Sequence, residues 1–151
     1  MAKFIYRMQS ILNIKEKLET QAKNEFAQAR IRLDEELEKL ASLERRKKEY
    51  EGEAIALRNT TLDIQKINEN KYALERVEEY IQGQQSEVSK AEKAFNRARD
   101  NLTRAMQETE VQNKLKERAF EDFKRELNAQ EAKEVDELTS YTYGQRIKEN
   151  G

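Results

Sequence analysis

The chain has 151 residues, of which 39% are charged and 36% hydrophobic, with a formal net charge of −1 and a mean hydropathy of −1.09. So little apolar volume excludes a round globule with a large core, and the near-zero net charge excludes a global pull on nucleic acid or anionic membrane. With no His, no Cys, no Pro and four Gly, the sequence offers no imidazole base, thiolate or Gly-rich phosphate loop, and almost nothing that interrupts a helix.

Disorder is the obvious rival for so polar a chain. A regular apolar period, five Phe and six Tyr argue against it. The start, Met1 to Arg7, lacks the apolar core of a secretory signal, and no apolar run approaches the ~20 residues that span a bilayer. A cytoplasmic protein without membrane insertion is expected.

The first segment carries a stripe at Ile11, Ile14, Leu18, Ala22, Phe26, Ala29, Leu33, Leu37, Leu40, Leu43, Lys47, Tyr50, Ala54 and Leu57. Its 13 steps cover 46 residues, the ~3.5-residue spacing that keeps one seam facing a partner helix. Lys47 is the polar member, with a stem that can pack while its ammonium reaches water.

The pattern falters from Arg58 to Asp63 and on towards Tyr72, where Asn59, Thr60, Thr61, Asp63, Asn68 and Asn70 cluster. Such side chains bond their own backbone and favour turns and caps, and Thr60 with Asp63 fits a loose capping box. A hairpin tip is predicted at about 59–63, or reaching as far as 72.

The second segment alternates by three and four at Leu74, Val77, Ile81, Gln84, Val88, Ala91, Phe95, Ala98, Leu102, Ala105 and Thr109. Steps of four then follow at Val111, Leu115, Ala119, Phe123 and Leu127, which predicts a locally relaxed supercoil. Neither stripe can face water alone, so the two segments should pair antiparallel. The predicted fold is all-α: one long antiparallel two-helix coiled-coil hairpin, with helix one over about 3–58, helix two to about 140, and a frayed end from Tyr141. Two registers stay open. One sets Ile11 near Phe120; the other sets it near residue 110, with a longer overhang. A hairpin of this kind has no cavity in which to shift a carboxylate pKa, so no catalytic, cofactor-binding or metal-binding residues are expected, and no enzyme.

Charge is uneven where the termini meet. Residues 1–30 hold six basic and three acidic residues, 114–125 five and three, and 126–139 one and five. Solvated, locally paired faces and a patterned docking surface both fit. The run Arg45-Arg46-Lys47-Lys48 has Glu44, Glu49 and Glu51 beside it, which favours a solvated face over a nucleic-acid patch. Phe4, Ile5, Met8, Ile11 and Leu12 should pack on Phe120, Phe123 and Leu127 in preference to a lipid surface. Tyr72 and Tyr80, off the seam, are either flanking residues or part of a contact surface.

Three stretches resemble the flagellar export protein family FliJ: Tyr6 to Glu19 followed by Ala22 and Ala29; Lys71 to Glu78; and Leu115 to Arg118 through Phe123 to Leu127 and Glu131 to Leu138. The resemblance implies a monomeric, non-enzymatic stalk, cytoplasmic and peripheral to the cytoplasmic face of the cell membrane at the flagellar base. It implies that the end holding both termini, with Arg7, Ile11, Lys15, Arg118, Lys124 and Arg125, enters the ring of the flagellar export ATPase hexamer and promotes its assembly and activity. The opposite end would meet the cytoplasmic domain of the membrane export gate through Leu43, Tyr50, Tyr72, Val77, Tyr80 and Gln84. Escorting export chaperones is a further implied role. Arg46 stands where some members have an aromatic, and Gln84 where some have His. The alternative is a coiled-coil chaperone escort or generic scaffold without an ATPase partner; a scaffold often dimerises through its seam.

Overall fold

A computed structural model describes residues 2–150. It is an all-α hairpin of α1 (Gln9–Arg58) and α2 (Ile64–Asn150). The chain divides into two compact units, a tip unit of Thr20–Arg104 and a terminal unit that gathers the chain up to Glu19 and from Ala105 onward.

In the tip unit the turn is the five residues 59–63. Asp63 caps α2, its Oδ1 accepting the amides of Gln65 at 3.1 Å and Lys66 at 3.3 Å, while its carbonyl accepts Ile67 N–H at 3.1 Å. Asp63 therefore serves as the cap itself, and the box predicted from Thr60 does not form around these amides. The tip does not extend to Tyr72. Asn68 and Asn70 lie inside α2, and Asn70, 8% exposed, donates from Nδ2 to Tyr50 O at 3.0 Å.

The α2 seam runs through Leu74, Val77, Ile81, Gln84, Val88, Ala91, Phe95, Ala98 and Leu102, all buried or half-buried, as the spacing predicts. On α1 the same unit uses Ala22, Phe26, Ala29, Leu33, Glu36, Leu40, Leu43, Lys47, Tyr50, Ala54 and Leu57. Phe26 and Phe95 meet at 5.1 Å between centroids. Lys47 does reach outward, its Nζ 3.8 Å from Glu78. One member differs: Glu36 takes the place expected of Leu37, which is 41% exposed. Tyr50 against Asn70 and Glu36 against Gln84 select the register with the earlier second helix.

In the terminal unit residues 2–6 are not helical, and α1 starts at Gln9 rather than near residue 3. The non-helical start carries Phe4 onto Phe120 at 5.1 Å and Phe123 at 5.5 Å. Here the seam departs from the expected stripe. Leu12, Lys15 and Glu19 face inward, whereas Ile11, Ile14 and Leu18 are 38%, 55% and 46% exposed. On α2, Gln112 and Lys116 replace Val111 and Leu115, so the alternation of three and four continues from Thr109 to Phe123 and the predicted slip is absent there. The physical reason is the same on both helices: a continuous seam needs a fixed period, and the aliphatic stems of Lys, Glu and Gln can fill it. Thr109 Oγ1 donates to Lys15 O at 3.2 Å, which places Ile11 near residue 110 rather than Phe120.

Beyond Leu127 every described side chain of α2 is exposed. The helix nonetheless continues through Tyr141 to Asn150 instead of ending near 140, with Thr142 Oγ1 bonded to Leu138 O and Gln145 Nε2 to Tyr141 Oη, both at 2.9 Å.

Candidate functional site

Each unit presents one candidate surface. In the tip unit, Tyr72, Arg76 and Tyr80 follow one another at steps of four along α2, a spacing that stacks side chains on one helical face. Opposite them α1 contributes Arg46 and Tyr50, and together these residues line an open groove. Tyr72 and Tyr80 are 67% and 62% exposed, while Val77 at their foot is 2% exposed and packs into the seam. Arg46 and Arg76 enter no ion pair among the described residues, unlike the adjacent Arg45, which reaches Glu38 at 3.2 Å. Glu69, Glu75 and Glu79 also line it. Tyrosine and arginine are among the residues that contribute most at protein interfaces.

Of the six residues expected here by resemblance, the groove brings together Tyr50, Tyr72, Val77 and Tyr80. Leu43 is half-buried in the seam, and Gln84 is engaged within the hairpin. Gln84 Nε2 donates to Glu36 O at 2.9 Å and also to Glu36 Oε2. This bond, with the nearby Lys39 and Arg32 charges, holds the Glu36 carboxyl below its ordinary value of 4.5 despite partial burial. Arg46 belongs to the groove although the apolar pattern alone would pass over it. Its position one helical turn before Tyr50 was the available signal.

In the terminal unit, Arg7 and Arg118 are exposed, and Lys15 is bound by Glu108 at 2.9 Å. Lys124 Nζ lies 4.8 Å over the Phe120 ring, and Arg125 approaches Glu121 and Asp122, both at 3.9 Å. Much of the basic charge expected to contact a partner is therefore partly occupied within the unit. The surface that the apolar reading assigned to the seam lies outside it. Ile11, Ile14 and Leu18 each stand one position before an inward residue of α1, and Val111 and Leu115 one position before an inward residue of α2. In an antiparallel pair equal offsets fall on the same side, so these five form one exposed apolar strip. Tyr6 Oη and Gln112 Oε1 are buried in this unit without a hydrogen-bond partner.

Among the described residues no cluster of three potential metal ligands occurs, and no helix is long and apolar enough to cross a membrane.

Residues 4–148 match the family model described as flagellar FliJ protein. The fold is similar to the solved structure of a Chlamydia trachomatis protein proposed as a YscO homologue, with a TM-score of 0.75 and 24% identity, covering 97% of this chain and 99% of that one. A comparison with curated proteins found no match.

Proposed function

The chain belongs to the FliJ family and so to the components of type III protein export, and from that premise we propose that it is the non-enzymatic stalk that couples a flagellar export ATPase to the membrane export gate. The observation that carries this reading is the terminal unit's exposed strip of Ile11, Ile14, Leu18, Val111 and Leu115, with Arg118 beside it. An apolar strip with basic neighbours on a narrow helical pair suits a protein socket. Seated in the pore of an ATPase ring, it would bind the assembled hexamer and not the free subunits, so binding would stabilise the ring by mass action. The tyrosine groove of the tip unit remains available to the gate's cytoplasmic domain. Tyr50, Tyr72 and Tyr80 would make the contact, with Val77 and Gln84 holding α2 in place beneath them.

Mass measurement of the export ATPase with and without this chain tests the reading. A shift from subunits to hexamers is expected, and Ile14→Glu with Leu115→Glu should abolish it while far-UV circular dichroism stays helical. An unchanged mass distribution with a helical protein would instead favour an escort or scaffold without an ATPase partner. That alternative is disfavoured by one observation: the seam through which a scaffold would dimerise is already filled within the chain.

A further inference from the structure

The last third of α2 carries a second heptad pattern, distinct from the seam. Phe120, Lys124, Leu127, Glu131, Glu134 and Leu138 follow at steps of four, three, four, three and four, the spacing of a coiled-coil face. Phe120 is 39% and Leu138 67% exposed, and nothing from α1 covers the described part of this face beyond Leu127. Lys124, Glu131 and Glu134 enter no ion pair among the described residues; Lys124 lies only over the Phe120 ring. Most of a helix's stability in a protein comes from packing one of its faces, so this exposed face favours a partner.

We propose that the partner is a second copy of this chain, paired antiparallel along this face about a two-fold axis near residue 129. The order of residues is self-complementary about that point. Phe120 meets Leu138 of the other copy, Lys124 meets Glu134, and Leu127 meets Glu131. Antiparallel coiled coils place alternate heptad positions opposite one another, and each of these three layers obeys that rule. The wider charge distribution agrees: the excess of basic residues over 114–125 lies against the excess of acidic residues over 126–139. Such an interface is isologous and closes at two copies. It spans less than three heptads, so the dimer should be weak and concentration-dependent. The seam is touched only at its end, through half-buried Leu127, and Phe120 keeps its contact with Phe4 at 5.1 Å. The proposal does not depend on the stalk reading, and it departs from the expectation of a monomer only for the free chain.

Sedimentation equilibrium of the full chain over a dilution series tests this, with far-UV circular dichroism as a control for folding. Wild type should show a reversible monomer–dimer equilibrium. Lys124→Glu and Glu134→Lys should each weaken it by about tenfold or more, because like charges then face each other. The double variant, Lys124→Glu with Glu134→Lys, should restore it. These residues are ten apart on one helix and cannot pair within a chain, so rescue is specific to contact between copies. A chain that stays monomeric at every concentration overturns the proposal. So does a dimer indifferent to the single substitutions, or one that the double variant fails to restore.

Discussion

Leu12 and Ile14 stand two residues apart on α1, yet Leu12 is 2% exposed and Ile14 55%. Leu12→Ala should therefore cost about 2–5 kcal/mol in urea unfolding, whereas Ile14→Ala should stay within about 0.5 kcal/mol. Equal losses would mean that the seam runs through Ile14 after all. Tyr6 Oη has no partner in its buried position. Removing it in Tyr6→Phe should leave stability unchanged or slightly raised, by up to about 1 kcal/mol. Glu36 carries a lowered pKa because Gln84 bonds its carboxylate. A depressed carboxyl stabilises the fold at pH values above the unperturbed 4.5, and that contribution is lost as pH falls through the folded value. Acid unfolding followed by circular dichroism should show this loss below pH 4.5, and Gln84→Leu should diminish it. Which residues were buried was only partly legible. Apolar identity alone points to Ile11, Ile14 and Leu18, whereas the seam prefers Lys15, Glu19 and Glu36 because their stems keep the period.

At the level of elements, the turn chemistry of residues 59–63 is readable from Asn59, Thr60 and Thr61, but the cap is Asp63 and not Thr60. Asp63 satisfies two amides that the first turn of α2 would otherwise leave open. Asp63→Ala should destabilise the hairpin by about 1 kcal/mol, while Thr60→Ala should have little effect, both read from thermal unfolding. The two registers left open by the sequence were separated by polar rather than apolar contacts. Asn70 to Tyr50 O, Gln84 to Glu36 O and Thr109 to Lys15 O each send an α2 side chain to an α1 carbonyl. Apolar periodicity encodes that choice poorly, because a seam shifted by about three turns looks much the same to it. Asn70 in particular reads as a turn residue in sequence and becomes a cross-helix donor only once α1 lies beside it.

At the scale of the whole molecule, the hairpin class followed from two long apolar stripes on either side of one polar joint, and membership of the FliJ family agrees with it. The contact surfaces were less legible, since aromatic and basic residues on a charge-dense helix gain meaning only from their neighbours. Tyr72 and Tyr80 are exposed and bear little of the packing. Tyr72→Ala with Tyr80→Ala should therefore leave the melting temperature within a few degrees of wild type. On the proposed stalk reading, the same double variant should weaken binding to the export gate's cytoplasmic domain by at least about tenfold in calorimetry. Retained affinity would move the gate contact elsewhere.

The stalk account is tested most directly by steady-state ATP hydrolysis by the export ATPase, with about one chain per six ATPase subunits. The account predicts stimulation by wild type and by the Tyr72→Ala, Tyr80→Ala variant, and none by Ile14→Glu with Leu115→Glu. Hydrolysis that is indifferent to the wild-type chain, or stimulation that survives disruption of the terminal strip, would contradict it.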